Sequence, residues 1–309
     1  MILGFDIGGT KTAVVLGTRE GKIIQRREMR TEPGRGFTTV FEEICRLGED
    51  LRITSGNDIT AVSVSIGGPL DVSRGVILSP PNLPGWDAIP LKELLAARFL
   101  LPVYIEHDGN AGALAEWKFG AARGMRNVIF LTMGTGFGGG FILDGRLYRG
   151  TTDMAGEIGH LRIAEEGPPC YGKAGSLEGY ASGTGIALLA HRMFPGHWPQ
   201  MLSVRELADE HRSGSAEAKA VFTMAAKRFG RGLALLIDTL NPECIVLGGL
   251  GMRLQDVLVD PALRTAQDES LPRAWEACRI VPAQLGESIG DLAALCAAID
   301  QSHEQEQKQ

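Results

Sequence analysis

The strongest constraint on this fold is a plan that the sequence uses twice: an apolar strand, a glycine-rich turn and a second apolar strand. The first copy, ILGFDIGGTKTAVVLG, spans residues 2–17, and the second, NVIFLTMGTGFGGGFILDG, spans 127–145. Asp6–Thr10 of the first copy aligns with Thr132–Gly136 of the second. Strands alternate with helices elsewhere, which is typical of an α/β fold. We therefore predict two α/β domains that each open on a glycine turn.

Apolar periodicity predicts the remaining elements and the domain boundaries. The predicted strands end in glycines or precede helices, and the predicted helices have apolar residues at spacings of three and four. Strands are expected near 22–29, 59–68, 102–108, 243–249 and 277–283, and helices near 37–52, 90–100, 109–122, 182–194, 203–211, 215–240, 253–267 and 290–300. We predict a small N-terminal domain over 1–116, a large domain over 117–287, and a helix at about 288–301 that packs back on the first domain.

The composition limits which classes of ligand the chain can bind and in which cellular compartment we expect it. The 41 glycines among 309 residues are nearly twice the usual share of about 7% and cluster beside strands, which points to close backbone approach to a ligand. A net charge of −6 gives no general attraction to nucleic acid or to a membrane surface. The five cysteines are scattered, and no apolar run reaches about 18 residues. We expect a cytoplasmic protein with reduced thiols that binds neither nucleic acid nor membrane.

The glycine turns fit anion binding better than they fit known nucleotide motifs. GTGFGG at 134–139 has the spacing of a dinucleotide-binding turn, but a strand and an Asp144–Gly145 turn follow it where that fold needs a helix. No segment has the Walker A spacing. Backbone N–H groups and a threonine hydroxyl in each turn can hold phosphates. Asp6, at a strand end, can then orient hydrated Mg²⁺. The alternative is that both turns are only tight hairpins that need positive φ.

Four segments, in order and spacing, resemble the ROK family (repressors, uncharacterised reading frames and sugar kinases). They are DIGGTKTA, HDGNAGALAE, MGTGFGGGFILDG and AGEIGH, and the resemblance extends from Ile2 to about Ile299. The family lies within the actin-like, hexokinase-like ATPase superfamily. The resemblance implies two ribonuclease-H-like domains flanking a central cleft, with ATP between the two glycine turns and a sugar deeper in the cleft.

Asp108 is the predicted catalytic base. It stands where a strand ends and a helix begins, so it can cap the helix, accept the proton of a substrate hydroxyl, or do both. The family's catalytic aspartate falls on Asp108. His107 stands where the family usually has Asn. A neutral imidazole also offers one donor and one acceptor, and a packing or solvated role is the alternative.

The resemblance also implies the remaining ligand contacts. The sugar residues are expected to be Gly68, Asn82, His107, Asp108, Glu157, His160 and Glu178. The nucleotide residues are expected to be Asp6, Gly8, Gly9, Thr10, Lys11, Gly134, Thr135, Gly136 and Gly249, with Asp6 on Mg²⁺ through water.

A structural zinc site of the family is not expected here. The family pattern follows His160 with Cys-x-Cys-Gly-x-x-Gly-Cys-x-Glu, whereas this sequence reads CYGKAGSLE from Cys170 to Glu178. Tyr171 and Ser176 stand in place of two thiolates. His160 and Cys170 are too few ligands for a closed site of four. We predict that packing and hydrogen bonds from Tyr171 and Ser176 hold the loop.

The sequence therefore predicts an ATP-dependent sugar kinase that phosphorylates a hexose or N-acetylhexosamine, at the 6-hydroxyl. Its expected ligands are ATP, Mg²⁺ and the sugar, and the family resemblance suggests a homodimer. The alternative is a sugar-sensing ROK regulator that lacks its DNA-binding domain, because Asp6 leaves no room for a helix-turn-helix ahead of it. A third interpretation, an actin-like filament, leaves the polar residues of 157–178 unexplained. The identity of the sugar stays open.

Overall fold

A computed structural model describes residues 1–54 and 58–306 of this chain. It contains two five-stranded sheets whose strands follow the same order. The chain divides by contacts into two units. The first comprises Met1–Gly120, Arg149–Met154 and the chain from Glu287 onward, and the second comprises Ala121–Tyr148 and Ala155–Gly286.

The first unit contains one mixed sheet in the order β3-β2-β1-β4-β8, and β5, β6 and β7 form a small separate sheet. β1 pairs antiparallel with β2 and parallel with β4, and β4 pairs parallel with β8. The strands are β1 (Ile2–Ile7), β2 (Lys11–Gly17), β3 (Ile23–Arg30), β4 (Ala61–Ile66), β5 (Leu70–Asp71), β6 (Val76–Leu78), β7 (Asp87–Ile89) and β8 (Val103–His107). The helices are α1 (Phe37–Thr54), α2 (Leu91–Phe99) and α3 (Asp108–Phe119).

The second unit repeats this arrangement, with the sheet order β11-β10-β9-β14-β15. Again the first two pairings are antiparallel and the last two are parallel. The strands are β9 (Val128–Met133), β10 (Phe137–Leu143), β11 (Arg146–Tyr148), β12 (Pro169–Cys170), β13 (Lys173–Ala174), β14 (Cys244–Leu247) and β15 (Arg279–Pro282). The helices are α4 (Glu178–Ala181), α5 (Gly183–Met193), α6 (Val204–Arg212), α7 (Ala216–Leu240), α8 (Leu250–Arg253), α9 (Asp260–Glu269) and α10 (Pro272–Ala277).

The predicted α/β fold class and its duplicated plan are confirmed, and several local elements differ from prediction. The Asp144–Gly145 turn has positive φ at both residues, as a two-residue hairpin requires. The helix predicted over 253–267 is α8, a π-helical turn at Gln255–Val259, and α9. The short elements β5–β7, β12, β13, α4 and α10 were not predicted, because elements of two to six residues leave too short an apolar pattern.

The last helix, α11 (Ile289–Glu306), packs on the first unit. Ala294, Leu295 and Ala298 form one apolar cluster with Ile2 and Val15 of the first sheet. The opposite face of that sheet packs against α1 and α2. The contact division falls after Gly120 and assigns Arg149–Met154 to the first unit, whereas the predicted domains changed at residue 116 and left that segment in the second.

The cysteines and the helices can be compared with the expectations drawn from composition, which were reduced thiols and no membrane span. Cys45, Cys170, Cys244, Cys278 and Cys296 are all free. Over residues 1–54 and 58–306, no helix has both the length and the apolar character needed to cross a bilayer.

Candidate active site

The carboxyl edge of the three parallel strands in the first unit gathers the predicted acidic residues. β1, β4 and β8 lie side by side, and the ligand sites of open α/β sheets lie beyond such strand ends. A Cβ built on Gly67, just after β4, would lie 3.7 Å from Asp108 Oδ2. The charge of Asp108 also reaches Asp6 at the end of β1. Asp6 and Asp108 therefore belong to one site.

Asp108 is the first residue of α3, and His107 is its N-cap. The Gly109 N–H donates to His107 Nδ1 at 3.3 Å and to Asp108 Oδ1 at 2.7 Å. His107 occupies the N-cap position, which its extended backbone (φ −64°, ψ 140°) suits, and the Asp108 carboxylate accepts the same N–H, so both side chains cap the helix. The Asp108 side chain is 49% exposed, so its carboxylate is accessible to a substrate.

His107 is fixed by its neighbours on two sides. Its Nδ1 lies 3.2 Å from Asp108 Oδ1. A Cβ on Gly68 would lie 2.5 Å from its Nε2, so only glycine fits against the ring. Gly68, His107 and Asp108, predicted to act together, are neighbours. The sugar contact of His107 stays a prediction, since capping and packing already account for its position.

Asp6 is held in a setting that disfavours its charge. Burial is the largest cause that raises its pKa from 3.8 to about 7, and the charges of Asp108 and Asp291 add to it, while Ser65 and Lys11 oppose it. A Cβ on Gly290, in the first turn of α11, would lie 2.5 Å from Asp6 Oδ2. A cation bound near Asp6 would favour the charged form.

The first glycine turn contacts the loop that contains Asn82. A Cβ on Gly9 would lie 2.4 Å from the Asn82 carbonyl oxygen. The Gly8 N–H donates to the Lys11 carbonyl at 3.0 Å, and the Thr31 hydroxyl donates to the Gly8 carbonyl at 2.6 Å. The exposed Asn82 and the predicted nucleotide turn are therefore adjacent.

The glycines of the two turns are not needed for a left-handed backbone conformation. None of Gly8, Gly9, Gly134 and Gly136 has positive φ, which excludes the alternative that these glycines serve only a strained hairpin. Gly9 is required by the close approach of Asn82, and a Cβ on Gly134 would meet nothing within 4 Å. Open space beside the Gly134 backbone is what a phosphate-binding turn needs.

The second glycine turn is braced from two elements of its own unit. Gly183 N–H, at the start of α5, donates to the Gly134 carbonyl at 2.8 Å. Gly249 has φ 56°, and a Cβ there would lie 2.0 Å from the Met133 carbonyl oxygen, so the turn after β14 requires glycine. A cavity of about 630 Å³ opens beside this turn, within the second unit; its lining includes Gly134, Thr135, Thr184, Leu188, Leu202 and Leu250.

Three predicted sugar residues of the second unit converge beside the same turn. The pKa of Glu178 is raised by burial and by the charge of Glu157 and is lowered by His160, so the three side chains are close enough to interact. The Glu178 carboxylate accepts the Phe137 N–H at 3.0 Å. A Cβ on Gly136 would lie 3.2 Å from Glu178 Oε2. The expected sugar and phosphate contacts of this unit therefore share one locality.

The segment of the family's zinc pattern contains a hairpin in this chain. In the frame set by Gly172, Gly175 and Glu178, the first thiolate position falls on Pro169, and Cys170 falls on the intervening residue. This corrects the expectation that Cys170 stands at a ligand position. Within the described ranges, no three His, Cys, Asp or Glu side chains are grouped to hold a metal ion. These residues do not fit a tetrahedral zinc site.

A buried charge network supports β8, the strand before Asp108, and the sequence did not predict it. Glu106, one residue before His107, is fully buried and accepts from Arg149 Nε at 2.8 Å and from Asn110 Nδ2 at 3.0 Å. Arg149 also donates to Asp300 at 3.2 Å. The only sign of this network in the sequence is the charged Glu106 within the apolar strand VYIEH, and the sequence does not indicate which residue pairs with it.

Comparison with known proteins decides the family. The model of the ROK family matches residues 2–301. The chain belongs to the ROK family. A glucokinase of Halalkalibacterium halodurans is 33% identical to it over 93% of this chain and 92% of that protein.

Solved ROK structures share the fold. The ROK hexokinase of Thermus thermophilus has a TM-score of 0.84 and 32% identity, and the match covers 99% of both chains. A ROK family glucokinase from Streptomyces griseus, solved in complex with glucose and AMPPNP, has a TM-score of 0.79 and 30% identity, with 97% of this chain and 99% of that chain covered. This ROK chain therefore has the fold of sugar kinases, which is the actin-like ATPase fold.

Proposed function

We propose that this ROK protein transfers the γ-phosphoryl group of ATP to a hydroxyl of a hexose or N-acetylhexosamine, at the 6-position. The observation that carries the proposal is the accessible Asp108 carboxylate at the same strand edge as Asp6. Relatives named glucokinase and hexokinase, at 30–33% identity and near-complete coverage, support the same activity.

Asp108 acts as the general base. It accepts the proton of the attacking sugar hydroxyl as the phosphoryl group arrives, and the Gly109 N–H holds its Oδ1 in place. A carboxylate suffices, because phosphoryl transfer depends mainly on positioning and charge neutralisation.

The glycine turns hold the nucleotide. The turns Gly8–Lys11 and Gly134–Gly136 cradle the phosphates. The Gly8 and Gly134 N–H groups donate within the turns, to the Lys11 and Gly136 carbonyls, so the phosphates meet the other backbone N–H groups. The cavity of about 630 Å³ beside Gly134 takes the nucleoside against its apolar lining. Its volume lies within the usual range of small-ligand sites, about 300–1,000 Å³. Gly249, two residues after β14, lets that turn approach the Met133 backbone at the start of the second glycine turn.

Asp6 would hold Mg²⁺ through water. Mg²⁺ in such sites is bound by one or two carboxylates together with substrate phosphates, so the absence of a three-ligand cluster among the described residues is no obstacle. When bound, the ion neutralises charge on the phosphates. Asp6 and Asp108, whose charges repel, fit a cation between them and the nucleotide.

The sugar residues are those that the family resemblance implies. The backbone of Gly68 and the side chains of Asn82, His107, Glu157, His160 and Glu178 offer donors and acceptors for several hydroxyls. We expect this kinase to act as a homodimer in the cytoplasm, without nucleic acid or membrane partners. The regulator alternative is less supported, because the kinases above match this chain over almost their whole lengths.

A coupled ADP-release screen tests the activity. Purified protein with MgATP is offered glucose, mannose, fructose, allose, N-acetylglucosamine and N-acetylmannosamine. We expect sugar-dependent ADP release with at least one of them, glucose foremost. A folded protein that releases no ADP with any sugar, yet binds glucose in calorimetry, would favour the sensor.

A further inference from the structure

We propose that Tyr171 is a positioning residue that holds His160 for sugar binding, in place of the zinc ion that this chain's residues do not fit. This inference rests on the proposed function, because it assigns His160 to the sugar. It concerns one hairpin of the second unit, formed by β12, β13 and the turn between them.

The backbone of Tyr171 is the first observation. β12 and β13 pair through Cys170 and Lys173, so Tyr171 and Gly172 form a two-residue loop. Both have positive φ, 50° and 71°. Such turns favour Asn-Gly, and a bulky residue at positive φ is an outlier. The turn itself gains nothing from tyrosine, so the side chain has another role.

The contacts of the side chain show that role. The Tyr171 ring stacks on the His160 imidazole, with centroids 4.7 Å apart and planes at 27°. On the other side of the hairpin, the Lys173 ammonium donates to the His160 carbonyl. The hairpin thus holds His160 by its ring and by its backbone.

The location of the ring links it to the reaction site. The Tyr171 hydroxyl lies 4.0 Å from the point where a Cβ on Gly136 would stand, and Glu178 Oε2 lies 3.2 Å from that point. Burial and the Glu178 carboxylate raise the pKa of the Cys170 thiol, so this thiol also lies close to Glu178. Tyr171 therefore orients an imidazole whose neighbours are a sugar-binding carboxylate and the phosphate turn.

Replacing Tyr171 with Asn separates this role from a structural one. Tyr171→Asn gives the turn its preferred Asn-Gly sequence but removes the stack. We expect the melting temperature to stay equal or rise by about 1–3 °C, while glucose binding without ATP weakens about tenfold. The KM for the sugar should rise by a similar factor, and kcat and the KM for ATP should change less than about twofold. Tyr171→Phe keeps the stack and should bind glucose like the wild type.

The outcomes are distinguishable. Unchanged glucose affinity in Tyr171→Asn overturns the inference, and so does a Tyr171→Phe variant that loses as much affinity as Tyr171→Asn. About one zinc per wild-type chain would overturn it as well. A wild type that binds glucose but never phosphorylates a sugar contradicts the proposed function and leaves the binding comparison decisive for Tyr171. A wild type that binds no sugar of the panel contradicts both.

Discussion

At the scale of single residues, the proposed chemistry assigns separate roles to two aspartates with different surroundings. Asp108 is half-exposed and next to a helix N-terminus, which suits a base that must meet a substrate. Burial and neighbouring carboxylates give Asp6 a pKa of about 7, which suits a residue that becomes fully charged when a cation arrives. Two residues of one type thus take different roles because their environments differ.

The raised pKa of Asp6 makes stability depend on pH. The folded state binds the Asp6 proton more tightly than the unfolded state does, so stability from this group is full below about pH 4 and falls as pH rises toward 7. Moving a pKa from 3.8 to about 7 corresponds to at most about 4 kcal/mol. Asp6→Asn, without ligands, should therefore unfold at higher urea than the wild type at pH 8, with little difference at pH 4.

Asp87→Asn, at an exposed aspartate of β7, is the matched control and should change stability little at either pH. Asp6→Asn should also lose MgATP-dependent turnover but still bind glucose. If Asp6→Asn is no more stable than the wild type at pH 8, the buried setting of Asp6 is wrong. Loss of glucose binding with ATP binding intact would contradict the division of roles between Asp6 and the sugar residues.

At the scale of elements, the sequence predicts those strands, turns and helices that are encoded by a local residue pattern. The glycine turns, the strand before Asp108 and the amphipathic α1 all have signals within about twenty residues, and each was found. Pairing across the chain has no such signal. Arg149 meets Glu106 over 43 positions, and Gly290 meets Asp6 over 284. The hairpin at Tyr171 was missed as an element for a further reason, because its turn sequence contradicts the usual preference.

Removing only one partner of the buried ion pair between Arg149 and Glu106 should strongly destabilise the folded protein. Arg149→Met leaves the fully buried Glu106 carboxylate without its guanidinium, which costs about 3–5 kcal/mol. Arg146→Met, three residues earlier on the exposed side of β11, is the control and should cost less than about 0.5 kcal/mol. Urea unfolding of both variants measures the difference, and equal losses would show that the pair does not support the strand before Asp108.

At the scale of the whole molecule, one sheet plan serves twice, and each copy presents a glycine turn at the end of its first strand. The first unit adds carboxylates to this plan, and the second adds the polar cluster and the hairpin. The fold could be predicted because the duplication is visible in the sequence. The sugar could not be predicted, because selection among hexoses depends on the positions of side chains that are far apart in the sequence.

The zinc content of the purified protein is a further prediction at this scale. Protein prepared with zinc in the medium should contain far less than one zinc per chain by elemental analysis, because Pro169, Tyr171 and Ser176 occupy the thiolate positions. The triple variant Pro169→Cys, Tyr171→Cys, Ser176→Cys should gain about one zinc. About one zinc per wild-type chain, lost in Cys170→Ser, would show that the loop recruits ligands outside the family pattern.

Detection of the phosphorylated sugar tests directly whether this chain is a sugar kinase that uses Asp108 as its base. Wild type and Asp108→Asn are each incubated with glucose and MgATP, and glucose phosphate is quantified by mass spectrometry beside the ADP formed. The wild type should form both products in equal amounts. Asp108→Asn should fold, bind glucose and form them about 10²–10⁴-fold more slowly. ADP formation without a phosphorylated sugar, or a folded Asp108→Asn variant with near-native turnover, would contradict the account.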